Sequence, residues 1–342
     1  MREYNMGDLV IKDCAINKIV TSENYNYTFN KETGYFVRWG KSFDVDPEYA
    51  PAPEIADICI TSKCDHGCEF CYKGNTSHGH NMSFEDFKTI FHKLPKTLTQ
   101  IAFGVDAYGT ANPDMLKMMR YSRYNGVIPN VTIAKIDEQM AENLANVCGA
   151  VAVSRYENKL DCYDSIKLLH KYGLKQNNIH LLVAEETEHW VWETFNDYLN
   201  GEIKGLNAIV LLGLKQKGRG THYNTLSQEK YSKIINYALD NKIPIGADSC
   251  SGPKLVKSVL HRDNYDEIYQ MVDPCESTLF SIFIDENCNF YPCSFMPKTE
   301  GWENGINMLT VNDFDKDIWN HPLTVNFRNK LIMSWLSYVS SI

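Results

Sequence analysis

Apolar positions follow two different periods from residue 55 onwards. Short apolar runs such as 100–104 (QIAFG) and 150–154 (AVAVS) alternate with stretches in which apolar residues recur every three or four positions. The short runs predict buried β-strands, and the second period predicts amphipathic helices. One of these helices is predicted to begin at Ser83, with Asp86 at the acidic position of a capping box.

Six strand–helix units follow one another in this part of the chain. The predicted strands are 57–61, 100–104, 130–134, 150–154, 179–184 and 208–212, with a short closing strand at 243–247. The predicted helices are 83–94, 113–125, 137–147, 161–172, 188–199 and 227–241. Each strand can reach a parallel neighbour only through the intervening helix, which predicts a parallel sheet with right-handed crossovers. We therefore expect an α/β fold, either an open sheet or a curved partial barrel, with ligands at the carboxyl ends of the strands.

The two ends of the chain have a different pattern. Aromatic-rich runs at 25–29 and 35–39 predict an N-terminal β-hairpin, and the Pro- and Ala-rich stretch 46–54 predicts a linker. Two β-like runs near the C-terminus, 280–285 and 289–293, are bracketed by cysteines. The predicted domains are 1–54 for the hairpin and linker, 55–248 for the strand–helix units and 249–342 for a small α+β extension.

Composition narrows the class of protein. The 342 residues are 44% hydrophobic and 23% charged, which is the balance of a globular protein. The net charge of -9 argues against a broad basic face for nucleic acid. The longest apolar runs are far shorter than the ~20 residues that span a membrane, and the polar N-terminus does not resemble a signal peptide. Eleven cysteines, an odd number, do not suit a disulfide framework, so we predict a soluble cytoplasmic protein with reduced thiols and no membrane or nucleic-acid partner.

Three cysteines lie on one loop directly after the first predicted core strand. Cys64, Cys68 and Cys71 have spacings of three and two intervening residues. Three thiols on one loop can bind a four-iron cluster and leave one iron without a protein ligand, where a small molecule can bind. The alternative is a zinc site completed by a nearby histidine, although structural zinc sites favour paired Cys-x2-Cys knuckles.

The segment TSKCDHGCEFCYK resembles the CxxxCxφC signature of the radical S-adenosylmethionine (radical SAM) enzymes, with Phe70 as the aromatic residue. The resemblance implies a partial (β/α)6 barrel in which Cys64, Cys68 and Cys71 hold a [4Fe–4S] cluster. It further implies that the open iron binds S-adenosylmethionine (SAM). An external one-electron donor of flavodoxin or ferredoxin type would then drive its cleavage to a 5′-deoxyadenosyl radical that abstracts hydrogen from a substrate.

The same resemblance implies SAM contacts at the ends of three strands. Gly104 and Asp106 occupy the place of a Gly-Gly-Glu-like turn that binds the methionine amino group. Ser154 and Arg155 close the fourth strand, where family members contact the ribose and carboxylate. Glu185 follows the fifth strand and is a candidate for the adenine or ribose. For Asp106, Ser154 and Arg155, the alternative is an ordinary residue of a strand end or loop.

A basic loop, 215–220 (KQKGRG), follows the sixth strand. It is similar to a Gly-Arg loop of the family. Two interpretations stay open, a loop that orients a carboxylate and a flexible basic loop without a specific role.

Four more cysteines, Cys250, Cys275, Cys288 and Cys293, follow the strand–helix units. The segment 275–293 resembles the start of the SPASM or twitch extension, which carries auxiliary iron–sulfur clusters. Cys288 stands where a turn glycine is expected, and no cysteine follows Cys293. The count therefore allows one auxiliary [4Fe–4S] cluster, with Cys288 or a non-thiol as fourth ligand. A zinc site and a metal-free hairpin with buried thiols are the alternatives.

The extension implies a class of substrate. Radical SAM enzymes of this type mostly modify peptides, so we expect a peptide maturase that forms a crosslink or epimerises a residue. The N-terminal hairpin is too short for a winged-helix leader-binding domain, which leaves leader recognition to the hairpin or to a separate leader-peptide-binding protein. The alternatives are a radical SAM dehydrogenase or biosynthetic enzyme for a small molecule and, from another class, a zinc-binding interaction protein. The remaining cysteines are expected to be buried core thiols, one of which could donate a hydrogen atom: Cys14, Cys59, Cys148 and Cys162.

Overall fold

The computed structural model describes residues 1–339, the last four by their backbone only. The N-terminal part is a five-stranded antiparallel sheet in sequential order. Its strands are β1 (Arg2–Met6), β2 (Leu9–Asp13), β3 (Asn17–Thr21), β4 (Asn26–Asn30) and β5 (Phe36–Trp39). The predicted hairpin is present as β4 and β5, but it is only part of this larger sheet.

Strand β3 is not predicted from the sequence, and its alternation of buried and exposed side chains explains why. The core-facing positions of this strand are Lys18 and Val20, so a lysine interrupts the apolar alternation. The Lys18 ammonium is buried and donates hydrogen bonds to the backbone carbonyls of Lys96 and Leu98. Because the ammonium is buried and no carboxylate is in contact with it, the pKa of Lys18 is lowered to about 8.

The central part contains all the predicted strand–helix units. The parallel strands are β6 (Ile55–Cys59), β7 (Gln100–Gly104), β8 (Ile128–Ile133), β9 (Ala150–Ser154), β10 (Gln176–Val183), β11 (Ala208–Gly213) and β12 (Ile245–Ala247). The helices between them are α1 (Phe84–Lys93), α2 (Met115–Tyr124), α3 (Glu138–Val147), α4 (Lys159–Lys171), α5 (Glu188–Leu199) and α6 (Gln228–Asp240). Neighbouring strands pair in chain order from β6 to β12, and the sheet does not close on itself. This confirms the expected α/β fold, in the form of a partial barrel.

Local capping fixes where several helices begin. The Ser83 hydroxyl accepts a hydrogen bond from the Asp86 backbone N–H at 3.0 Å, as the capping box predicts. The Asp137 carboxylate caps α3 in the same way, at 2.8 Å from the Met140 nitrogen. Both caps satisfy a backbone N–H that has no partner inside its own helix.

The two faces of the parallel strands differ in polarity. Ile58, Phe103 and Val153 are buried in one hydrophobic core with the helices. Residues of the opposite face are partly polar, and the strand register places Ser154 directly beside His180. The sheet therefore has one face in the core and another that can line a binding cavity.

The C-terminal part continues the same sheet. Strand β13 (Ser281–Ile284) runs parallel to β6, and β14 (Asn289–Tyr291) and β15 (Ile306–Asn307) follow in antiparallel order. These strands confirm the two predicted β-like runs. The remaining helices are α7 (Gly252–Val259), α8 (Tyr265–Tyr269) and α9 (Pro322–Val339). No helix within residues 1–339 is long and apolar enough to cross a membrane. The last three residues of the predicted domain 249–342 lie outside the described residues.

Candidate cluster and cofactor site

The loop with the first three cysteines connects β6 to α1. Its backbone is held by hydrogen bonds from Cys64 N to Thr76 O at 2.9 Å and from Cys71 N to Cys68 O at 3.3 Å. Gly67 has a φ of +72°, a left-handed conformation that glycine adopts at little cost. The loop therefore turns back on itself between the first and second cysteine.

Aromatic side chains pack around Phe70, the aromatic residue of the signature. Its ring lies 5.5 Å from Tyr156, 6.2 Å from Trp190 and 5.7 Å from Tyr223, measured between centroids. The Cys68 sulfur lies 3.5 Å from the Tyr156 hydroxyl. Phe70 thus anchors the loop against α5 and against the ends of the neighbouring strands.

The three thiols of this loop influence one another. Burial is the main cause that raises the pKa of the Cys68 thiol, and the neighbouring Cys71 and Cys64 raise it further. The three thiols therefore lie close together on one loop. They are a suitable set of ligands for a cationic iron centre, which binds the thiolate form.

A cavity of about 520 Å³ lies at the carboxyl ends of the strands. One part of its wall contains Cys68 and Cys71. Another part contains Cys250, Cys275 and Cys293 from the C-terminal extension. Two groups of cysteines that are about 200 residues apart in sequence therefore face the same space.

The thiols of the second group are in contact. Cys250 and Cys275 hydrogen-bond to each other, which lowers the pKa of Cys275 and raises that of Cys250. The Ser277 hydroxyl lies 3.4 Å from the Cys275 sulfur and also hydrogen-bonds to Cys293. Cys275 and Cys293 thus share the Ser277 hydroxyl, and Cys250 joins them through its contact with Cys275.

Cys288 is placed differently from the other predicted ligands. It is buried in the main hydrophobic core and is not among the residues that line the cavity. Its φ of +65° is the left-handed conformation for which the turn glycine was expected. Burial raises the pKa of its thiol to about 12.

Two of the predicted SAM contacts line the cavity. The Ser154 hydroxyl hydrogen-bonds to Tyr156, next to the Cys68 sulfur. Arg155 is almost fully buried, pairs with Glu193 and lies over the Trp190 ring at 5.1 Å. The Nε atom of this guanidinium is buried and has no hydrogen-bond partner.

The other three predicted SAM contacts do not line the cavity. The Asp106 carboxylate is turned into its own loop, where it accepts hydrogen bonds from the backbone N–H groups of Tyr108 and Ala111. Gly104 ends β7 against Cys59, where a Cβ would lie 3.0 Å from the Cys59 Cα. The Glu185 carboxylate pairs with Lys230 at the start of α6.

Sequence reasoning missed several polar residues of the cavity. Asp57, Thr132 and His180 lie on the cavity-lining face of three different strands, and Glu276 precedes β13. Burial raises the pKa of Asp57 to about 6 and that of Glu276 to about 7, and it lowers the pKa of His180 to about 4. A signal for these residues exists in the sequence. Fully buried parallel strands are continuously apolar, so a polar residue at alternate positions indicates a face that lines a cavity.

The arrangement of the cysteine thiols suits a [4Fe–4S] cluster better than a single metal ion. No three His, Cys, Asp or Glu side chains within residues 1–339 are spaced to share one metal ion. In a [4Fe–4S] cluster each cysteine binds a different iron, so its ligands do not converge on a single ion. Three thiols on one loop beside a cavity with a polar strand end fit such a cluster and a bound nucleoside cofactor.

Solved structures with the same architecture were found for almost the whole chain. Streptococcus suis SuiB bound to precursor peptide SuiA superimposes on 96% of this chain and 90% of its own, with a TM-score of 0.63. The chain has the fold of the radical SAM enzymes. SuiB bound to S-adenosylmethionine covers 94% of this chain and 89% of its own, with a TM-score of 0.59. Native anSMEcpe with bound AdoMet and Cp18Cys peptide covers 80% of this chain and 82% of its own, with a TM-score of 0.56.

The likeness to these radical SAM structures lies in the fold. Sequence identity is 12% for the two SuiB structures and 15% for anSMEcpe. No protein-family sequence model and no curated protein sequence matches the chain.

Proposed function

We propose that this protein is a radical SAM enzyme that modifies a peptide. The observation that carries the proposal is the position of the signature cysteines: Cys68 and Cys71 face a cavity at the carboxyl ends of the strands of a radical SAM fold. Cys64, Cys68 and Cys71 would hold the [4Fe–4S] cluster. When bound, this cluster would supply the electron that cleaves SAM and so produces a hydrogen-abstracting radical.

The chain's own residues bind and orient the cofactor. Ser154 and Arg155 are the proposed SAM contacts, because both line the cavity beside the cysteine loop. The unpartnered Arg155 Nε is a buried donor that an acceptor on the cofactor would satisfy. Asp106 supports the loop after β7, because its carboxylate accepts hydrogen bonds from the backbone N–H groups of Tyr108 and Ala111.

The second group of cysteines is proposed to bind one auxiliary cluster. Cys250, Cys275 and Cys293 line the same cavity. Cys275 contacts Cys250 and shares the Ser277 hydroxyl with Cys293. Cys288 is left out of this set, because its thiol lies in the hydrophobic core. The fourth ligand would then be a non-thiol group.

A peptide is the favoured substrate class. SuiB and anSMEcpe, the structures of similar fold, were solved with bound peptides. The same cavity would hold SAM, so only a short segment of a peptide would enter it while the remainder stays outside. We further propose a cytoplasmic enzyme that receives its electron from an external flavodoxin- or ferredoxin-like donor. A leader peptide would be bound by the N-terminal sheet or by a separate protein.

Anaerobic reconstitution tests the proposal. The wild-type chain should bind about eight irons, the number in two four-iron clusters, and should form 5′-deoxyadenosine after reduction with SAM present. A variant with Cys64, Cys68 and Cys71 all changed to Ala should keep about four irons and form no 5′-deoxyadenosine. Cys14→Ala, outside both cysteine groups, is the matched control and should behave as wild type.

Stoichiometric zinc without iron or 5′-deoxyadenosine would instead support the zinc-binding interaction protein. The peptide class is tested separately by incubating the reduced enzyme with candidate peptides in ordinary and deuterated solvent. Gain of one solvent deuteron in a peptide indicates epimerisation, and loss of two hydrogens indicates a crosslink or an oxidation. Turnover of a small molecule with no mass change in any peptide would support the small-molecule alternative.

A further inference from the structure

The loop between β11 and α6 contacts both groups of cysteines. We call residues 215–220 the basic strap. Its side chains alternate, with Gln216 exposed and Lys215, Lys217 and Arg219 turned towards the protein. Each of the three basic side chains reaches a different segment, and each of those segments carries proposed cluster ligands.

Arg219 binds the backbone of the signature loop. Its Nε donates to Cys68 O at 2.8 Å, and its Nη1 donates to Asn75 O at 2.9 Å. The Arg219 backbone N–H donates to Cys71 O, also at 2.9 Å. One residue therefore supports three carbonyls of this loop, two of them belonging to proposed cluster ligands.

The two glycines of the strap allow this close approach. A Cβ at Gly218 would lie 2.4 Å from Tyr72 O and 2.5 Å from Cys71 O, and the φ of this glycine is +58°. A Cβ at Gly220 would lie 3.1 Å from Phe70 O. The strap thus touches the signature loop backbone to backbone, which a larger residue at position 218 would prevent.

The two lysines reach the C-terminal extension. Lys217 donates to the carbonyls of Phe295 and Pro297, in the loop that follows Cys293. Lys215 pairs with Asp248 at 2.8 Å, two residues before Cys250. The strap is consequently bonded to the segments of both cysteine groups.

We propose that the basic strap is a positioning element that fixes the two cysteine sites relative to each other. Arg219 and Lys217 are its positioning residues. Their partners are backbone carbonyls, so they recognise the shape of the loops and not a substrate carboxylate. The inference rests on the proposed function in so far as these loops hold iron–sulfur clusters. It differs from both interpretations that the sequence leaves open for this loop, which are an orienting contact to a carboxylate and a flexible loop without a specific role.

Hydrogen–deuterium exchange of the full-length, anaerobically isolated chain tests the strap. In Arg219→Ala, amides of residues 64–76 should exchange at least about tenfold faster, because charge-assisted hydrogen bonds are worth that factor or more. In Lys217→Ala, the acceleration should fall on residues 293–298 instead. Lys233→Ala, an exposed lysine on α6 that contacts neither loop, is the matched control.

Electron paramagnetic resonance of the reduced chain is the second readout. Arg219→Ala should change the signal of the SAM-binding cluster, Lys217→Ala that of the auxiliary cluster, and Lys233→Ala neither. Arg219→Lys keeps the charge but cannot place two N–H donors on the Cys68 and Asn75 carbonyls at once. It should therefore accelerate hydrogen–deuterium exchange as Arg219→Ala does. This variant decides the test if Arg219→Ala does not fold.

The outcomes separate the two proposals. Unchanged exchange and unchanged spectra in both strap variants, in a chain that holds its iron, would refute the positioning role alone. If the wild-type chain holds no iron but shows the expected loop-specific exchange, the proposed function fails and the positioning of the two loops stands. Acceleration spread equally over both loops in either variant would show a general loss of stability and also refute the proposal.

Discussion

Single residues decide which groups in the cavity are charged. The cavity contains carboxyl groups with raised pKa values, Asp57 and Glu276, and an imidazole with a lowered one, His180. Burial is the main cause for all three, since it disfavours the charged form of any group. Near neutral pH, His180 is therefore a neutral side chain, at 3.4 Å from the Thr132 hydroxyl.

The lowered pKa of His180 predicts a pH-dependent contribution to stability. The folded-state pKa of about 4 lies below the usual value, so the unfolded chain takes up the proton first as the pH falls. The contribution of neutral His180 to the free energy of unfolding is fully present above about pH 6.5, and it is lost as the pH falls from there to about 4. The free energies of unfolding of wild type and His180→Asn should thus differ most at pH 7 and less at pH 5, measured by urea denaturation. A difference that is constant over this range would contradict a neutral imidazole at this place in the cavity.

Cys288 provides a second test at the residue scale. Because its thiol lies in the core and its φ is +65°, Cys288→Gly should relieve backbone strain and keep both clusters. Reconstituted Cys288→Gly is expected to bind about eight irons, whereas Cys293→Ala should bind about four. A loss of four irons in Cys288→Gly would make Cys288 a ligand after all.

At the scale of elements, buried polar contacts attach the N-terminal sheet to the central part. The Tyr27 hydroxyl donates to the Thr97 carbonyl, and Lys18 donates to the carbonyls of Lys96 and Leu98 in the same connection before β7. Tyr27 is completely buried. The sheet is therefore fixed to the loop between α1 and β7 and not only packed against it.

Removing one of these contacts should loosen the sheet. Tyr27→Phe leaves the buried Thr97 carbonyl without its partner, so the free energy of unfolding should fall by about 1–2 kcal/mol in urea denaturation. Tyr35→Phe is the matched control, because Tyr35 is exposed and should change stability by less than about 0.5 kcal/mol. Equal effects of the two substitutions would show that the Tyr27 hydrogen bond does not stabilise the interface.

At the scale of the whole molecule, one sheet connects all the proposed ligands. Strand β13 pairs with β6, the strand that leads into the signature loop. The extension is thereby placed against the open side of the barrel, where Cys275 and Cys293 reach the cavity. The strap then bonds β11, far along the same sheet, to the loops at both cysteine groups.

The sequence by itself determined the features that depend on neighbouring residues. The strand–helix units follow from local periodicity, and the start of α1 follows from the Ser83 cap. The proposed cluster role of Cys64, Cys68 and Cys71 rests on their spacing on one loop. Local patterns fail where a polar side chain takes a core position, as Lys18 does in β3, because its hydrogen-bond partners are distant in sequence.

Only the tertiary structure decided which residues meet. The Arg219 side chain donates a hydrogen bond to the Cys68 carbonyl, 151 positions away in the chain, and no local sequence pattern predicts such a contact. Local patterns likewise do not show that the two cysteine groups share a cavity or that Cys288 is buried. Nor do they show that the Asp106 carboxylate binds the backbone of its own loop. A motif specifies which chemistry a loop can perform. The packing of distant segments specifies where that loop is held and what faces it.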